Sequence, residues 1–195
     1  MSVPQSKLRE VAGIQLGITL RGSDASRHDP AGTHQLIRIS DLSDDGSVSI
    51  GEPCLIKLSA TDAARYEVKP GEVLVAARGT RMTAAVFQYG RGPCVVGGQF
   101  LVIRPQQELD PEYLKWYLNL PVIQKQLFAF ARGTYVRSLP ASVIGDLEIP
   151  VPPMPQQLAI AELNRLRIRE KELMAELSEK RGLLIDHSVL HHLHQ

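Results

Sequence analysis

The feature that most constrains this chain is a heptad pattern near its C-terminal end, within residues 152–184. Eight positions recur alternately four and three residues apart, and six of the eight are apolar. They are Ala159, Leu163, Leu166, Glu170, Leu173, Leu177, Lys180 and Leu184. This pattern predicts one long α-helix with an apolar stripe. Pro152 and Pro153 prevent an upstream helix from continuing, Pro155 suits a first helical turn, and Gly182 is a position where the helix can fray or end.

The predicted helix is so long that the rest of the chain offers no helix of matching length to cover its apolar stripe. Four heptads span about 40–45 Å at about 1.5 Å per residue, and the sequence predicts no second helix of that length. We therefore expect the helix to pack against a copy of itself or against another protein. The residues assigned to this contact are Leu163, Leu166, Leu173, Leu177 and Leu184. The alternative is a helix that folds back on its own domain, and charged flanks beside sustained heptads make that less favoured.

Composition places the chain among ordinary globular proteins. Its 195 residues suffice for one domain and an appendage, and 44% hydrophobic and 22% charged residues are typical of a soluble protein. Cys54 and Cys94 have no CxxC spacing, which favours buried free thiols in a reducing compartment. The N-terminus has no apolar signal core, and no apolar run approaches the ~18 residues of a membrane span. We expect a soluble, cytoplasmic protein.

Short apolar runs punctuated by glycine predict a β-rich domain over residues 1–151. Strand regions are expected at 7–20, 34–42, 47–58, 73–77, 84–89, 94–103 and 147–151. The close spacing of the central strands is typical of a β-meander. A short helix is expected after Ser59 or Thr61, and Asp110 and Pro111 open a further helix that Pro121 interrupts. The predicted class is α+β, with accessory helices in the β-rich domain and one long helix over 152–195.

Motifs of enzyme chemistry are missing from the sequence. It contains no HExxH, GxSxG or P-loop, and no GxGxxG follows a strand. His187 and His191 lie one helical turn apart, a spacing that can hold a metal ion. No acidic or cysteine ligand lies beside them, so a solvated tail is the favoured interpretation. We predict no catalytic residue, no metal site and no cofactor bound by this chain.

Arginines cluster in loops that contain glycine. The first cluster is Arg78-Gly79-Thr80-Arg81, Arg91 follows alone, and the second cluster is residues 132–137. Arginine forms bidentate hydrogen bonds to guanine and also binds phosphates, and glycine lets the backbone approach a phosphate closely. Gln99 and Tyr135 can add base-edge or stacking contacts. These loops indicate DNA binding, with ordinary solvated loops as the alternative.

Two phrases and their order resemble a known family. KPGEVLVAARGT lies at 69–80, and RGTYVRSLPASVIGDLEIPVPPMPQQLAIAEL lies at 132–163, just before the heptads. The chain resembles the specificity subunit of type I restriction-modification enzymes over nearly its whole length. It departs in one major respect, because the family usually carries two recognition domains and two helical spacers. It also has Gln156 where glutamate is common, and it keeps Gln157.

The resemblance implies that the two parts of the chain have different functions. Residues 1–151 would be a target-recognition domain that reads a short half-site in double-stranded DNA. Residues 152–195 would be the spacer helix, which docks a DNA methyltransferase subunit. That partner would methylate adenine with S-adenosylmethionine, a restriction subunit can join, and this chain would perform no chemistry. A half-length subunit would pair its helix with a second copy and read two inverted half-sites. The alternative is a protein-interaction adaptor or decoy of the same fold that does not read DNA.

The resemblance also assigns residues to the DNA-facing surface. The main candidates are Arg78, Gly79, Thr80, Arg81, Arg132, Thr134, Tyr135 and Arg137. Further candidates are Arg21, Ser23, Arg27 and Arg38. For each residue the alternative is a solvated loop position, and the two glycines, Gly79 and Gly133, can equally be turn residues.

Overall fold

The structure is a computed structural model that describes residues 3–20, 28–43, 45–49, 51–79, 82–88, 92–131 and 138–193. The strands are β1 (Gln5–Lys7), β2 (Ala12–Leu16), β3 (His34–Ile37), β4 (Leu55–Ile56), β5 (Glu67–Val68), β6 (Val73–Ala76), β7 (Ala84–Val86), β8 (Cys94–Val96), β9 (Phe100–Pro105) and β10 (Glu148–Pro150). The α-helices are α1 (Leu8–Val11), α2 (Ala60–Tyr66), α3 (Pro111–Leu118), α4 (Pro121–Phe130), α5 (Ala141–Gly145) and α6 (Met154–Leu193). The class is α+β, as predicted.

The strands form two four-stranded sheets and a two-stranded ribbon of β1 and β10. The first sheet has the order β2-β9-β6-β7 and is antiparallel throughout. The second sheet has the order β4-β3-β8-β5, with β3 parallel to β8. The predicted meander is therefore wrong, because the successive strands β8 and β9 lie in different sheets. The chain crosses between the sheets at residues 97–99, where Gly98 and the neighbouring Gly17 allow close approach.

The first sheet is the middle layer of the domain, and its side chains alternate between two cores. Val73 and Val75 face the cluster that contains the apolar side chains of α3 and α4. Leu74 and Ala76 face the second sheet. All of β6 is therefore buried, which explains why its sequence is continuously apolar.

Helix α3 begins as its sequence predicts. The Asp110 carboxylate accepts a hydrogen bond from the Tyr113 N–H at 2.8 Å, and Pro111 occupies the first turn. The Tyr113 hydroxyl donates to the Pro150 carbonyl at 2.8 Å, which fastens α3 to the ribbon. Burial raises the pKa of Tyr113 to about 12, so the hydroxyl keeps its donor proton at neutral pH.

Several predicted strands are shorter than expected. Residues 7–20 contain the end of β1, the helical turn α1 and β2, because Leu8 and Val11 both enter the core with helical spacing. Strand β3 ends at Ile37, and all four of its residues are buried between β4 and β8. In the described part of the region 47–58, the one strand is β4. The prediction of a capping serine is confirmed, since the Ser59 hydroxyl accepts from the Asp62 N–H.

Helix α6 is longer than its heptads predicted. Its 40 residues span about 60 Å, and they continue through Gly182, where fraying or an end was expected. Among the described residues, no helix is long and apolar enough to cross a membrane.

Two opposite faces of α6 have different surroundings. Gln157, Asn164, Ile160 and Ile168 face the domain, and the first two are 0% and 9% exposed. The leucine seam (Leu163, Leu166, Leu173, Leu177 and Leu184) lies roughly 180° around the helix and is 44–68% exposed. From residue 169 to residue 189 every side chain is exposed. The helix thus rests on its own domain at its start through a stripe that the heptads do not include, and its seam remains open.

Gln157 fixes the first turn of α6 to the domain. Its amide oxygen accepts from the Asp110 N–H at 2.8 Å, and its amide nitrogen donates to the carbonyls of Glu108 and Pro152, both at 2.8 Å. A buried side chain that satisfies one donor and two acceptors cannot be replaced by an apolar one without leaving polar groups unpaired.

We expect Gln157→Leu to lower the free energy of unfolding by about 3 kcal/mol or more, because the Asp110 N–H and the Glu108 and Pro152 carbonyls lose the buried amide that pairs with them. Urea denaturation followed by circular dichroism measures the change. Gln156→Leu is the matched control, because Gln156 is exposed, and it should shift the free energy by about 0.5 kcal/mol or less. Equal effects of the two substitutions would contradict the role given to Gln157.

Candidate nucleic-acid interface

Three of the predicted DNA-facing residues lie within the described ranges: Arg38, Arg78 and Gly79. The others lie outside the described residues. These are Arg21, Ser23, Arg27, Thr80, Arg81, Arg132, Gly133, Thr134, Tyr135 and Arg137. The geometry of the interface therefore comes from the three described residues and from the positions where the other segments join the fold.

The two main arginine loops join the fold side by side. Arg78 and Ser138 form an antiparallel bridge, and the Leu139 N–H donates to the Ala77 carbonyl at 2.8 Å. The Ala77 N–H in turn donates to the Gln99 carbonyl at 2.7 Å. Segments that are about 20 and 60 residues apart in sequence are thus brought to one place by β-type pairing beyond the end of β6.

The segments before residues 21–27 and around Arg38 reach the same end of the domain. Ile18 pairs with Gly97 in a parallel bridge, and the Gly97 N–H donates to the Ile37 carbonyl at 3.2 Å. We call residues 17–20, 37–38, 77–79, 97–99 and 138–139 the loop edge. Its five segments carry, or directly adjoin, the predicted DNA-facing residues.

Glycine is required where the segments of the loop edge approach one another. A Cβ atom on Gly17 would lie 2.3 Å from the Gly97 carbonyl oxygen, and one on Gly98 would lie 2.9 Å from the Thr19 hydroxyl. Side chains at Gly17 or Gly98 would therefore force the segments apart. The glycines that the sequence showed as strand breaks hold the two sheets together at this edge.

Arg78 and Gly79 have the properties expected of a binding loop. Arg78 is exposed, and its backbone is held by the bridge to Ser138. Gly79 has φ of +118°, which L-residues rarely adopt, and apart from its chain neighbours no described residue has an atom within 4 Å of its would-be Cβ. Gly79 thus serves the turn and leaves open space beside it, where a phosphate or base edge can approach.

Arg38 has a more crowded position than Arg78. Its N–H donates to the Asp41 carboxylate at 2.8 Å, and its guanidinium contacts the Cys54 thiol. It lines a cavity of about 420 Å³ that also includes Glu52. The two nearby carboxylates reduce the positive potential around Arg38, so Arg78 is the stronger described candidate.

The described neighbours of Arg91 do not belong to the loop edge. Phe87 pairs with Glu72 at the beginning of β6, and Arg91 follows four residues later. Gly92 precedes β8, whose other end reaches Gly97. These contacts lie at the opposite end of the strands, so the described residues that flank Arg91 are not part of the loop edge.

The described residues offer little for catalysis. No three His, Cys, Asp or Glu side chains in these ranges are grouped so that they could hold a metal ion. Cys54 and Cys94 are buried and form no disulfide, and burial raises the pKa of the Cys94 thiol, which disfavours the reactive thiolate. What the loop edge provides is hydrogen-bond donors, positive charge and exposed backbone.

One feature that sequence reasoning missed is a groove of about 620 Å³ between α6 and the helices α3 and α4. Trp116, Gln124, Asn164, Arg167 and Lys171 are among its lining residues. The available signal was the helical spacing of Gln157, Asn164 and Ile168 along α6. Because two of these three residues are polar, a search for apolar heptads does not detect that face of α6.

Comparison with known proteins bears on this arrangement. The family model described as the type I restriction modification DNA specificity domain matches residues 4–178. The chain belongs to the type I restriction-modification DNA specificity family. No curated protein sequence matches the chain significantly. The predicted resemblance is therefore confirmed, and the match extends into α6.

Solved structures of specificity subunits share the fold. One, from a study of complex assembly and conformational transition of the type I restriction-modification system, has a TM-score of 0.67 and 18% identity over 88% of this chain. The HsdS subunit from Thermoanaerobacter tengcongensis matches with a TM-score of 0.61 and 18% sequence identity, over 86% of this chain. The S subunit from M. genitalium matches with a TM-score of 0.57 and 17% sequence identity, over 90% of this chain. This specificity-family chain covers 39%, 37% and 41% of those three chains.

The loop edge generates a direct prediction. We expect Arg78→Ala to weaken binding of the protein to random-sequence duplex DNA roughly fivefold or more, and to lower the slope of log affinity against log salt by about one. Fluorescence anisotropy over a salt series measures both quantities. Arg9→Ala is the matched control, since Arg9 is exposed beside Asp146 near β1, away from the loop edge. Equal losses from both variants would show that Arg78 has no special role.

Proposed function

We propose that this chain is the DNA-recognition subunit of a type I modification complex and directs a DNA adenine methyltransferase to its target. The observation that carries the proposal is the loop edge. In a chain of the DNA specificity family, sequence-distant segments with predicted DNA-facing arginines adjoin one another at one end of the sheets. In this proposal the edge, with residues 80–81 and 132–137, contacts bases and phosphates of a half-site.

The proposed subunit has two working parts. Residues 1–151 recognise DNA, and residues 152–195 hold the subunits together and dock the methyltransferase. The chain itself performs no chemistry and binds no cofactor, and S-adenosylmethionine belongs to the methyltransferase. A restriction subunit can join the complex, which acts in the cytoplasm.

The exposed seam of α6 supports a homodimer. Five leucines in heptad spacing remain 44–68% exposed on the face opposite the domain, and apolar stripes of this kind are stabilised by a partner helix. Two copies related by a twofold axis would present two loop edges and read a bipartite target with inverted half-sites. The chain spans about two fifths of the length of the solved structures that it matches.

Affinity purification of the tagged protein from its native cells, followed by mass spectrometry, tests the proposed function. We expect a DNA adenine methyltransferase to be recovered in near-stoichiometric amount. We also expect the recovered complex to reduce the electrophoretic mobility of purified DNA that carries the target. Recovery of other proteins without a methyltransferase, together with no affinity for DNA, would instead support the adaptor or decoy of the same fold.

The proposed dimer has its own test. Leu166→Glu with Leu173→Glu should raise the dimer dissociation constant about a hundredfold or more, because four carboxylates would enter an apolar contact. Sedimentation velocity measures the dimer, and circular dichroism checks that the domain remains folded. Leu158→Glu with Leu183→Glu is the matched control, because these exposed leucines lie roughly a quarter-turn from the seam. A double seam variant that stayed dimeric would refute the contact.

A further inference from the structure

Two side-chain amides at the corner between α3 and α4 hold the beginning of β7. The Asn119 amide oxygen accepts a hydrogen bond from the Ala84 N–H at 2.9 Å, and its amide nitrogen donates to the Ala84 carbonyl at 2.8 Å. The Gln124 amide nitrogen donates to the Met82 carbonyl at 3.0 Å. We call Asn119 and Gln124 the amide pair. It contacts the edge strand of the first sheet directly after residues 80–81, which carry two of the predicted DNA-facing side chains.

We propose that Gln124 is a positioning residue for DNA recognition, which holds the arginine loop at 78–81 in the geometry that base reading requires. This inference rests on the proposed function and deepens it. In this role Gln124 does not itself contact DNA. It acts through Met82, the first described residue after Thr80 and Arg81.

The two members of the amide pair contribute differently to the fold. Ala84, which Asn119 contacts, already pairs with Val75 in the ladder between β6 and β7. Met82 precedes that ladder, and the described hydrogen bond to its carbonyl comes from Gln124. Asn119 therefore reinforces a strand that the sheet already holds. Gln124 extends the hydrogen-bonded backbone beyond the sheet, towards the arginine loop.

The Gln124 side chain is itself fixed in place. Its amide nitrogen also donates to the Leu118 carbonyl at 2.7 Å, one of the carbonyls that the end of α3 leaves without a helical partner. Two hydrogen bonds from one planar amide nitrogen set both the position and the direction of the amide. A half-buried side chain that is fixed in this way can hold the Met82 carbonyl at a defined position.

The other end of the arginine loop is held separately. The bridge between Arg78 and Ser138 fixes the backbone where the loop begins. Three residues, 79–81, lie between Arg78 and Met82. The path of so short a segment depends on where its two ends are held. Releasing Met82 from Gln124 therefore changes the position of the proposed DNA contacts, although no DNA-facing side chain has been altered.

Helix α4 also connects this arrangement to the second arginine cluster. Gln124 on its first turn contacts the end of the first loop, and Phe130 ends the helix. Residues 132–137 follow, and the chain then reaches Ser138, which pairs with Arg78. Both proposed recognition loops are thus joined to α4, so a change at Gln124 alters the position of one loop relative to the other.

Base reading and phosphate binding differ in how accurately the loop must be placed. A bidentate contact between arginine and guanine depends on direction as well as distance, and recognition sites require an accuracy of about 0.5 Å. Attraction to phosphates depends mainly on the number of positive charges, so small displacements matter less. Removing the Gln124 amide takes no charge from the loop. We therefore expect its loss to reduce discrimination between DNA sequences and to leave the affinity for random DNA unchanged.

Gln124→Met tests this role, because methionine has a similar length and no hydrogen-bond donor. The full-length protein and the variant each select sequences from a random duplex library. Fluorescence anisotropy then measures their affinities for the selected motif and for random-sequence DNA over a salt series. We expect the ratio of the two affinities to fall about tenfold or more. The affinity for random DNA should change by less than about twofold, with the same salt slope.

Two controls separate positioning from a general loss of structure. Gln126→Met is the matched substitution, since Gln126 is exposed on the same helix, and it should leave the motif and both affinities unchanged. Asn119→Ala removes two hydrogen bonds from Ala84, inside the ladder. It should lower the midpoint of thermal unfolding without weakening sequence discrimination. Circular dichroism at the assay temperature measures the folded fraction of every variant.

The positioning role is overturned if Gln124→Met discriminates between sequences as well as the unmodified protein does. An equal loss of discrimination in Asn119→Ala would also overturn it, because the effect would then come from general loosening of the corner. Where Gln124→Met lowers the folded fraction, Gln124→Asn takes its place, since its amide is one methylene too short to reach both carbonyls. Unmodified protein that selects no motif would remove the proposed function itself, which distinguishes that failure from the loss of the positioning role alone.

Discussion

The fold depends on one buried amide. Gln157 has no exposed surface, and its hydrogen bonds join the first turn of α6 to the segment before α3 and to the Pro152 carbonyl. A glutamate could accept from Asp110 but could not donate to two carbonyls. Because the first turn is fixed, the face of α6 that meets the domain is fixed as well, and the leucine seam must point the other way.

The loop edge depends on a different constraint, which is the crossing of the chain between two sheets at residues 97–99. Close contacts at Gly17 and Gly98 leave no room for a side chain, so two sheets built from different parts of the sequence end at a common rim. Loops carried by a rigid sheet can hold arginines at set positions, as recognition of base edges requires. The opposite end of β9 leads to α3, and Gln157 joins the segment before α3 to the start of α6.

Local signals in the sequence predicted local structure well. Ser59, Asp110 and Pro111 mark helix starts, and they do so because capping depends on only a few neighbouring residues. The parallel pairing of β3 with β8 was not predictable in this way, since it joins segments about 60 residues apart. The arginine loops were recognised individually, yet the approach of the segments of Arg38 and Arg78 to residues 97–99 depends on pairing in both sheets.

The two stripes of α6 show why a search for apolar patterns finds the exposed leucine seam but not the face that rests on the domain. The seam is apolar and periodic, so the heptads reveal it, whereas the face on the domain uses Gln157 and Asn164, whose value lies in hydrogen bonds that no hydropathy pattern records.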